Sequence, residues 1–390
     1  MIPPRDCGAL PDHVLKRFNL NITVTLSQEF GNCQSILPQL LRNREWGSAI
    51  NRKGREVKMS ASIKDVASHA GVSLGTVSNV MNHPGRVSAA TVKKVHQSIH
   101  ALGFVRNDAA RQLRAGASKT IAMLVFDVAN PFFTDIARGA EDEASKAGFS
   151  LILANTTESE EREMNYLDLF EEQRVRGILI SPYGAVEDRL GALKHFGIPS
   201  VLVDRVSQKE EFSSVSVDDI AGGHIATLHL MSLGRLQIGF VGGPLEITQV
   251  KDRLIGAKKA VAGHKGTKLQ IFETRATTVL EGRRIGEALA QMPAKNRPNG
   301  IFAANDLVAL GLLQALVVAS SIRVPEDIAL VGYDDIDFAT SAIVPLTSIR
   351  QPSELMGQTA LRLLSEEAES PGMEPRKIVF QPELVKRASA

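Results

Sequence analysis

The apolar residues between positions 63 and 102 recur at the spacing of an α-helix in three short segments, which are separated by residues that end or begin helices. The first segment stops at Gly71, where a left-handed turn is accessible, and the third stops at Gly103. Ser73 and Ser88 stand where a helix N-cap is expected before the second and third segments. Three short helices with a tight turn between the first two predict a helix-turn-helix headpiece.

Beyond residue 119 the pattern changes to short apolar runs that alternate with amphipathic stretches of helical period. The runs are Ile121–Phe126, Leu151–Ala154, Gly177–Ser181, Ser200–Val203, Ile238–Val241, Gly300–Ala303 and Ile328–Val331. This alternation is typical of buried parallel strands in doubly wound sheets. The unit recurs too often for one small sheet, so we predict an α/β domain of two similar lobes. In such sheets ligands bind beyond the carboxyl ends of the strands, which places a cleft between the lobes.

These patterns divide the chain into four parts. Residues 1–58 show no sustained period, and we expect a disordered extension or a stretch outside the functional protein, since Met59 directly precedes the first periodic segment. We predict the headpiece over residues 60–106. Residues 107–118 predict a short helix that grades into a linker, and residues 119–390 form the two-lobed domain.

Composition restricts the class of protein. The chain has 390 residues, 44% of them hydrophobic and 23% charged, as in an ordinary soluble protein. No apolar run is long enough for a membrane helix and the N-terminus lacks a secretory pattern, so we expect a cytoplasmic protein. Cys7 and Cys33 are the only cysteines, too few for a disulfide framework or a four-cysteine zinc site.

The distribution of charge points to nucleic acid. The whole chain carries a formal charge of only +2, whereas residues 62–119 hold eight lysines and arginines against two aspartates. Such a concentration of positive charge is typical of a protein that binds the phosphate backbone.

Motifs for catalysis are missing. The sequence has no phosphate-binding loop, and Gly242-Gly243 is not part of a dinucleotide-binding motif. Asp334-Asp335 offers paired carboxylates, but no histidine, metal cluster or nucleophile motif accompanies them. We therefore expect neither an enzyme nor a bound cofactor or metal.

Two stretches carry a family resemblance. The stretch from Ile63 to Asn82 reads IKDVASHAGVSLGTVSNVMN, and the one that begins at Asn107 reads NDAARQLRAG. The first closely resembles the headpiece of the lactose-repressor (LacI/GalR) family, and the second is similar to that family's hinge helix. The likeness covers about residues 60–390. It implies a sequence-specific transcriptional regulator that acts as a homodimer on near-palindromic double-stranded operator DNA.

The resemblance also assigns the DNA-binding residues. In the family, the second headpiece helix reads base edges in the major groove, and a leucine of the hinge helix wedges into the minor groove. The matching positions here are Ser73, Leu74, Gly75, Thr76, Ser78, Asn79, Asn82, Ala110 and Leu113. Asn79 departs from the arginine of many relatives, and asparagine pairs with adenine where arginine prefers guanine.

The two-lobed domain resembles ribose-type periplasmic binding proteins and the repressors related to them. Aromatic faces that pack on a sugar ring and polar groups that bind its hydroxyls are implied. The matching effector-binding positions are Asn130, Phe132, Phe133, Asp204, Arg205, Arg253, Asn305, Asp334 and Gln351. Thr277 departs from the pattern, because several relatives place there an aromatic residue that closes the other face of the ring.

The favoured function is a repressor that a small sugar, ribose-like or related, releases from its operator. A second reading keeps DNA binding but makes the ligand a purine or corepressor that promotes it. A third, a secreted sugar-binding protein for transport, explains only the two-lobed domain. The headpiece and the missing signal peptide disfavour it.

Overall fold

The computed structural model describes residues 61–104 and 118–390. The predicted extension, both cysteines and the predicted hinge helix with Ala110 and Leu113 lie outside these ranges. The chain divides near Arg106 into two compact units. No helix within the two described ranges is long and apolar enough to cross a membrane.

The first unit contains the three predicted headpiece helices, α1 (Ile63–Ala70), α2 (Leu74–Asn82) and α3 (Ala89–Leu102). Helix α1 begins with a capping box in which Ser62 and Asp65 satisfy each other's backbone N–H groups. Gly71 ends it in the left-handed conformation, with a φ of 59°. The side chain of Ser73 then caps α2. A small buried core joins the helices: Val66, Ala67, Ala70, Val77, Val80 and Val95.

The second unit contains two largely parallel sheets of six strands each. The strands in chain order are β1 (Thr120–Val125), β2 (Ser150–Asn155), β3 (Ile178–Ile180), β4 (Ser200–Val203), β5 (Ser214–Val217), β6 (Gln237–Val241), β7 (Lys268–Phe272), β8 (Gly300–Ala303), β9 (Ala329–Asp334), β10 (Thr347–Arg350), β11 (Lys377–Phe380) and β12 (Glu383–Val385). The first lobe has the order β11-β5-β4-β3-β1-β2, and the second has β12-β10-β9-β8-β6-β7. Among the described strands, only the β10–β12 pair is antiparallel.

Helices cover the faces of the sheets. They are α4 (Pro131–Lys146), α5 (Glu160–Glu172), α6 (Glu187–His195), α7 (Asp219–Ser232), α8 (Thr248–Ala262), α9 (Val279–Gln291), α10 (Asp306–Leu313), α11 (Asp337–Ser341) and α12 (Ser353–Glu369). The chain crosses between the lobes after β5, after β10 and after β11. The crossovers bring the carboxyl ends of the central strands of both sheets to one interface.

All seven apolar runs are strands, so the prediction of a doubly wound, two-lobed domain is confirmed. Strands β5, β7, β10, β11 and β12 were not predicted. Strand β5 reads Ser-Val-Ser-Val, and its serines are buried although their polarity hides the strand in the sequence. Strand β2 is an edge strand, and the side chain of Ile152 is 51% exposed where a fully buried strand was expected.

Pairs of glycines let neighbouring helices approach closely. Helices α4 and α12 meet at Gly139 and Gly357, and a Cβ atom on either residue would strike a backbone carbonyl of the other helix. Two further helix pairs use the same arrangement, at Gly223 with Gly256 and at Gly282 with Gly311. The helix pairs therefore depend on the absence of a side chain at these crossings.

Gly139→Ala should lower the free energy of unfolding by about 1–3 kcal/mol, because the new methyl group forces α4 away from α12. Chemical denaturation would measure this. The matched control is Gly191→Ala in α6, where no described atom lies within 4 Å of the added Cβ. That change should be neutral or stabilising by up to about 1 kcal/mol. Equal effects of the two substitutions would show that the crossing is not tightly packed.

Candidate functional site

Polar side chains from both lobes converge where the carboxyl ends of the two sheets face each other. Asp204 directly follows β4, and Asp334 is the last residue of β9. Asn130 and Asn305 cap the helices that follow β1 and β8. All four are buried and line one cleft, which holds about 370 Å³ of space between protein atoms, partly open to solvent. Only about 30 Å³ of that space is wide enough to admit a water molecule, so the walls of the cleft lie close together.

Two amide side chains form hydrogen bonds that join the lobes across the cleft. The Asn130 amide donates from Nδ2 to Oδ2 of Asp334 over 3.1 Å. The Gln249 amide, on α8, donates from Nε2 to Oδ2 of Asp204 over 2.9 Å and to the Asp204 carbonyl over 2.5 Å. The same carboxylates that face the cleft therefore also hold its two walls together.

Arg253 is the central charge of the cleft and is only 5% exposed. Its Nε donates to Oδ1 of Asp219 over 2.8 Å, and its Nη1 donates to the Ala304 carbonyl over 2.8 Å. Nη1 also lies 3.6 Å from Oδ1 of Asp334. The guanidinium stacks on the Tyr333 ring, 3.7 Å from its centroid. These contacts fix the guanidinium in one orientation.

One wall of the cleft is aromatic and the other is not. Phe126, Phe132 and Phe133 lie on the first lobe, with Phe133 in edge-to-face contact with both of the other rings. The second lobe contributes Thr277 and the aliphatic side chains of its α8 region. A ring-shaped ligand is thus offered aromatic contact from one side.

The headpiece presents its candidate DNA contacts on the N-terminal part of α2. Leu74, Gly75 and Asn79 are exposed, and the side chain of Leu74 is 44% accessible although it is apolar. The Ser73 hydroxyl accepts from the Thr76 N–H over 3.1 Å and therefore holds the start of α2. Ser78 accepts from the Asn82 amide over 3.2 Å. Leu74, Gly75 and Asn79 therefore do not belong to the hydrophobic core of the headpiece.

Comparison with known proteins identifies the family. The profile of the bacterial regulatory proteins of the lacI family matches residues 62–107, and that of the periplasmic binding protein-like domain matches residues 227–390. The HTH-type transcriptional repressor PurR of Photobacterium profundum is 35% identical over 330 residues, which are 84% of this chain and 98% of that protein. The Ribose operon repressor of Escherichia coli (strain K12) is 33% identical and covers 85% of this chain and 100% of its own. The chain belongs to the LacI family.

Solved structures agree with this assignment. A LacI family transcriptional regulator from Enterococcus faecium with bound ribose is 31% identical, with a TM-score of 0.64 over 70% of this chain and 98% of that one. A Lac repressor dimer bound to operator and an anti-inducer is 26% identical, with a TM-score of 0.71 over 85% of this chain and 99% of that one. This LacI-family chain is therefore a DNA-binding transcriptional regulator.

The cleft brings together seven of the nine effector-binding positions expected in this LacI-family chain: Asn130, Phe132, Phe133, Asp204, Arg253, Asn305 and Asp334. The two others stand behind its lining. Gln351 is buried and donates from Nε2 to Oδ1 of Asp334 over 2.9 Å. Arg205 turns away and donates from Nη1 to the Gly184 carbonyl over 3.0 Å. These two residues hold the cleft wall rather than lining it.

Besides Thr277, five residues that line the cleft were not among the predicted effector-binding positions: Phe126, Asp127, Ile247, Gln249 and Val250. Asp219, which pairs with Arg253 behind the lining, was not predicted either. Gln249 lies one helical turn before Arg253, and this spacing places both side chains on one face of α8. Asp219 follows β5, which was not predicted because of its serines. Its position beside the cleft was therefore not predicted either. No group of three histidine, cysteine, aspartate or glutamate side chains within residues 61–104 and 118–390 is arranged to hold a metal ion.

Burial and strain mark the two central carboxylates. Asp204 and Asp334 have φ values of 60° and 105°, in the left-handed region that non-glycine residues rarely adopt. Burial raises the pKa of Asp204 well above its usual range, and the nearby charge of Asp219 raises it further. Burial also raises the pKa of Asp334, to about 6, although Arg253 and two amides oppose the rise. Both aspartates are strained at strand ends where they face the cleft.

The pKa of Asp334 gives the stability of the protein a pH dependence. Since burial raises that pKa from 3.8 to about 6, the folded chain holds this proton more tightly than the unfolded chain. The free energy of unfolding should therefore fall as the pH rises from about 4 to about 6, by at most about 3 kcal/mol for this group. Asp334→Asn should flatten that part of the profile, as followed by denaturation at each pH.

The control is Asp168→Asn, which alters an exposed ion pair with Arg189. It should leave the slope between pH 4 and 6 unchanged. The same slope in Asp334→Asn as in the unaltered protein would contradict the raised pKa.

Proposed function

We propose that this regulator represses transcription by binding a near-palindromic operator as a homodimer, and that a small sugar in the cleft releases it. The observation that carries the proposal is the buried polar set around Arg253, with an aromatic wall on one side. A polyhydroxy ring matches such a set, because its C–H face packs on aromatic rings while its hydroxyls satisfy carboxylates and amides.

The hydrogen-bonding capacity of the cleft favours hydroxyl groups. Asp204 and Asp334 accept hydrogen bonds, and Oδ1 of Asp204 is buried with no partner among the described residues. A buried acceptor without a partner costs roughly 1–3 kcal/mol, so a ligand that donates to it gains that amount. A sugar hydroxyl is such a donor, and it can accept a bond from an arginine or amide at the same time.

A purine that promotes DNA binding is the second candidate. The ring of Phe132 or Phe133 offers stacking to a flat base, which favours this reading. The opposite wall offers Thr277 instead of a second ring, and the carboxylates demand more donors than a base supplies. These features favour a sugar over a purine as the ligand of the cleft.

Coupling to DNA follows from the contacts across the cleft. A ligand that inserts between Asn130 and Asp334, or between Gln249 and Asp204, changes how the two lobes hold each other. A ligand shifts an equilibrium only by its differential affinity for the two states. We infer that the sugar-bound arrangement of the lobes disfavours operator binding, so the sign of regulation is induction.

The headpiece supplies the DNA contacts of the proposal. Leu74, Gly75 and Asn79 of α2 are assigned to base edges, and Ser73, Thr76, Ser78 and Asn82 to positioning the helix on the duplex. Residues 107–118 are proposed as the hinge, where Ala110 lines and Leu113 wedges into the minor groove of a flexible central step. A regulator of this kind acts in the cytoplasm, where it reaches its DNA, and catalyses no reaction.

The proposal is tested by thermal-shift screening of neutral pentoses and hexoses, their phosphates and purine bases, followed by operator titration with each hit. We expect a neutral sugar to stabilise the protein and to weaken its operator binding. A purine hit that strengthens operator binding would replace the sugar proposal by the second candidate.

Asn79→Ala should relax the base preference at one symmetric operator position and weaken binding there by about 1–3 kcal/mol, because an asparagine amide pairs with an adenine edge. In vitro selection with the altered protein, followed by anisotropy titration, measures both effects. Gln97→Ala removes an exposed amide of α3 and serves as the control, with unchanged base preference. A selected consensus that is identical for Asn79→Ala and the unaltered protein contradicts the base-reading role.

Arg253→Lys should weaken sugar binding by roughly tenfold or more, since an ammonium cannot reproduce the fixed donor geometry of the guanidinium. Operator binding without the sugar should survive, which gives a repressor that no longer responds to its inducer. Arg323→Lys, which alters an exposed pair with Asp327, is the matched control. Calorimetry and operator titration separate the two effects, and unchanged sugar affinity would place Arg253 outside the site.

A further inference from the structure

We propose that the cleft accepts an uncharged ligand and rejects phosphorylated and carboxylated forms of the same molecule. This inference rests on the proposed effector-binding function and narrows its ligand class. It is carried by three features of the described residues: the balance of charge, the prior commitment of Arg253, and the capping of the adjoining helices.

The charges at the cleft are mostly negative. Asp127, Asp204 and Asp334 line it, and Asp219 stands directly behind Arg253. Among the lining residues within 118–390, Arg253 is the one cation. Burial raises the pKa values of Asp127, Asp204 and Asp334, which reduces their average charge, but protonation adds no positive charge for an anion to pair with. An anionic group would therefore meet carboxylates in a poorly hydrated site.

The one arginine is already neutralised. Its Nε is bonded to Asp219 and its Nη1 to the Ala304 carbonyl, with Asp334 close by. Burial lowers the pKa of Arg253, but the charges of Asp219 and Asp334 outweigh this effect and raise it, so the guanidinium and its carboxylates form one ionic group. A phosphate could bind Arg253 strongly only by displacing a buried carboxylate and leaving that carboxylate unpaired.

The N-termini of the helices at the cleft do not provide a second site at which an anion could bind. Free backbone N–H groups at such termini bind phosphates in many proteins. Here α4 begins with Pro131, which has no N–H, and the next two N–H groups are bonded to the side chain and carbonyl of Asn130. The side chain of Asp218 caps α7, and that of Asn305 caps α10. Both of these helices also carry an aspartate in the first turn.

Further acidic side chains lie near a tyrosine that neighbours the lining of the cleft. Tyr183 packs near Phe126, which lines the cleft, and it lies close to Glu158, Glu160 and Glu246. Burial raises the pKa of Glu158, and the charge of Asp127 raises that pKa further. A concave surface lined by one sign of charge repels ligands of that sign before they bind. A neutral polyhydroxy ligand is unaffected by this barrier.

The test compares matched ligands by calorimetry on the full chain. Each neutral sugar or nucleoside that stabilises the protein is titrated beside its monophosphate and its carboxylic acid form. We expect the anionic forms to bind roughly a hundredfold more weakly or worse, because each brings a like charge against buried carboxylates. An anionic form that binds as tightly as its neutral counterpart overturns the inference, whichever scaffold binds.

Charge-relieved variants separate electrostatic rejection from a poor fit. Asp127 is only partly buried, and Asp127→Asn should narrow the gap between neutral and phosphorylated ligand severalfold. Asp142→Asn, on the exposed face of α4 in the same lobe, is the control and should leave the ratio unchanged. An unchanged ratio in Asp127→Asn would overturn the electrostatic cause.

Inorganic phosphate provides a probe that needs no identified effector. Phosphate at millimolar concentration should stabilise the protein no more than sulfate or chloride at equal ionic strength. A specific stabilisation by phosphate that Arg253→Lys abolishes would overturn the inference. If only a neutral purine base binds, the sugar proposal fails while the inference about charge stands, so the two failures are distinguishable.

Discussion

The buried ion pair between Arg253 and Asp219 is the interaction on which the rest of the cleft depends. A guanidinium placed out of water needs its charge balanced and its donors occupied, and Asp219, Asp334, the Ala304 carbonyl and the ring of Tyr333 together meet that need. These partners lie at or just after the carboxyl ends of β5, β8 and β9. Because β5 belongs to the first lobe and β8 and β9 to the second, this one side chain ties strand ends of both lobes together at the cleft.

The first lobe joins this network through two amide contacts. Asn130 donates to Asp334, and Gln249 donates to Asp204. Each carboxylate therefore binds an amide of the opposite lobe and also faces the space where a ligand would bind. Both aspartates are held in left-handed backbone conformations, a cost that proteins tolerate where a side chain must point in one direction. A ligand that competes for these carboxylates acts directly on the contacts between the lobes. This is a physical route from the cleft to a change in the protein's shape.

The sequence was informative where physical requirements leave a local trace. Helix caps such as Ser73, the glycine stop at Gly71 and the apolar central strands are properties of neighbouring residues, and they predicted the headpiece and the two lobes. Strands β5 and β10 were missed because buried serines and a threonine interrupt their apolar pattern. The edge strands β7, β11 and β12 were missed because they are partly exposed, whereas the edge strand β2 was predicted. Most cleft residues followed from a family motif. Gln249 and Asp219 were missed since their roles depend on contacts between residues distant in the sequence, and Arg205 follows the motif while its side chain turns towards Gly184.

The central claim is that the ligand in the cleft and the operator at the headpiece act on one equilibrium. The most direct measurement determines the affinity for the effector twice by calorimetry, once on the free protein and once on the protein saturated with operator. Thermodynamic linkage requires the ratio of these two affinities to equal the ratio of operator affinities without and with effector. We expect the operator-bound protein to bind the sugar more weakly, by that same factor. Equal sugar affinity in both states would show that the cleft and the DNA-binding headpiece are independent, and would contradict their coupling.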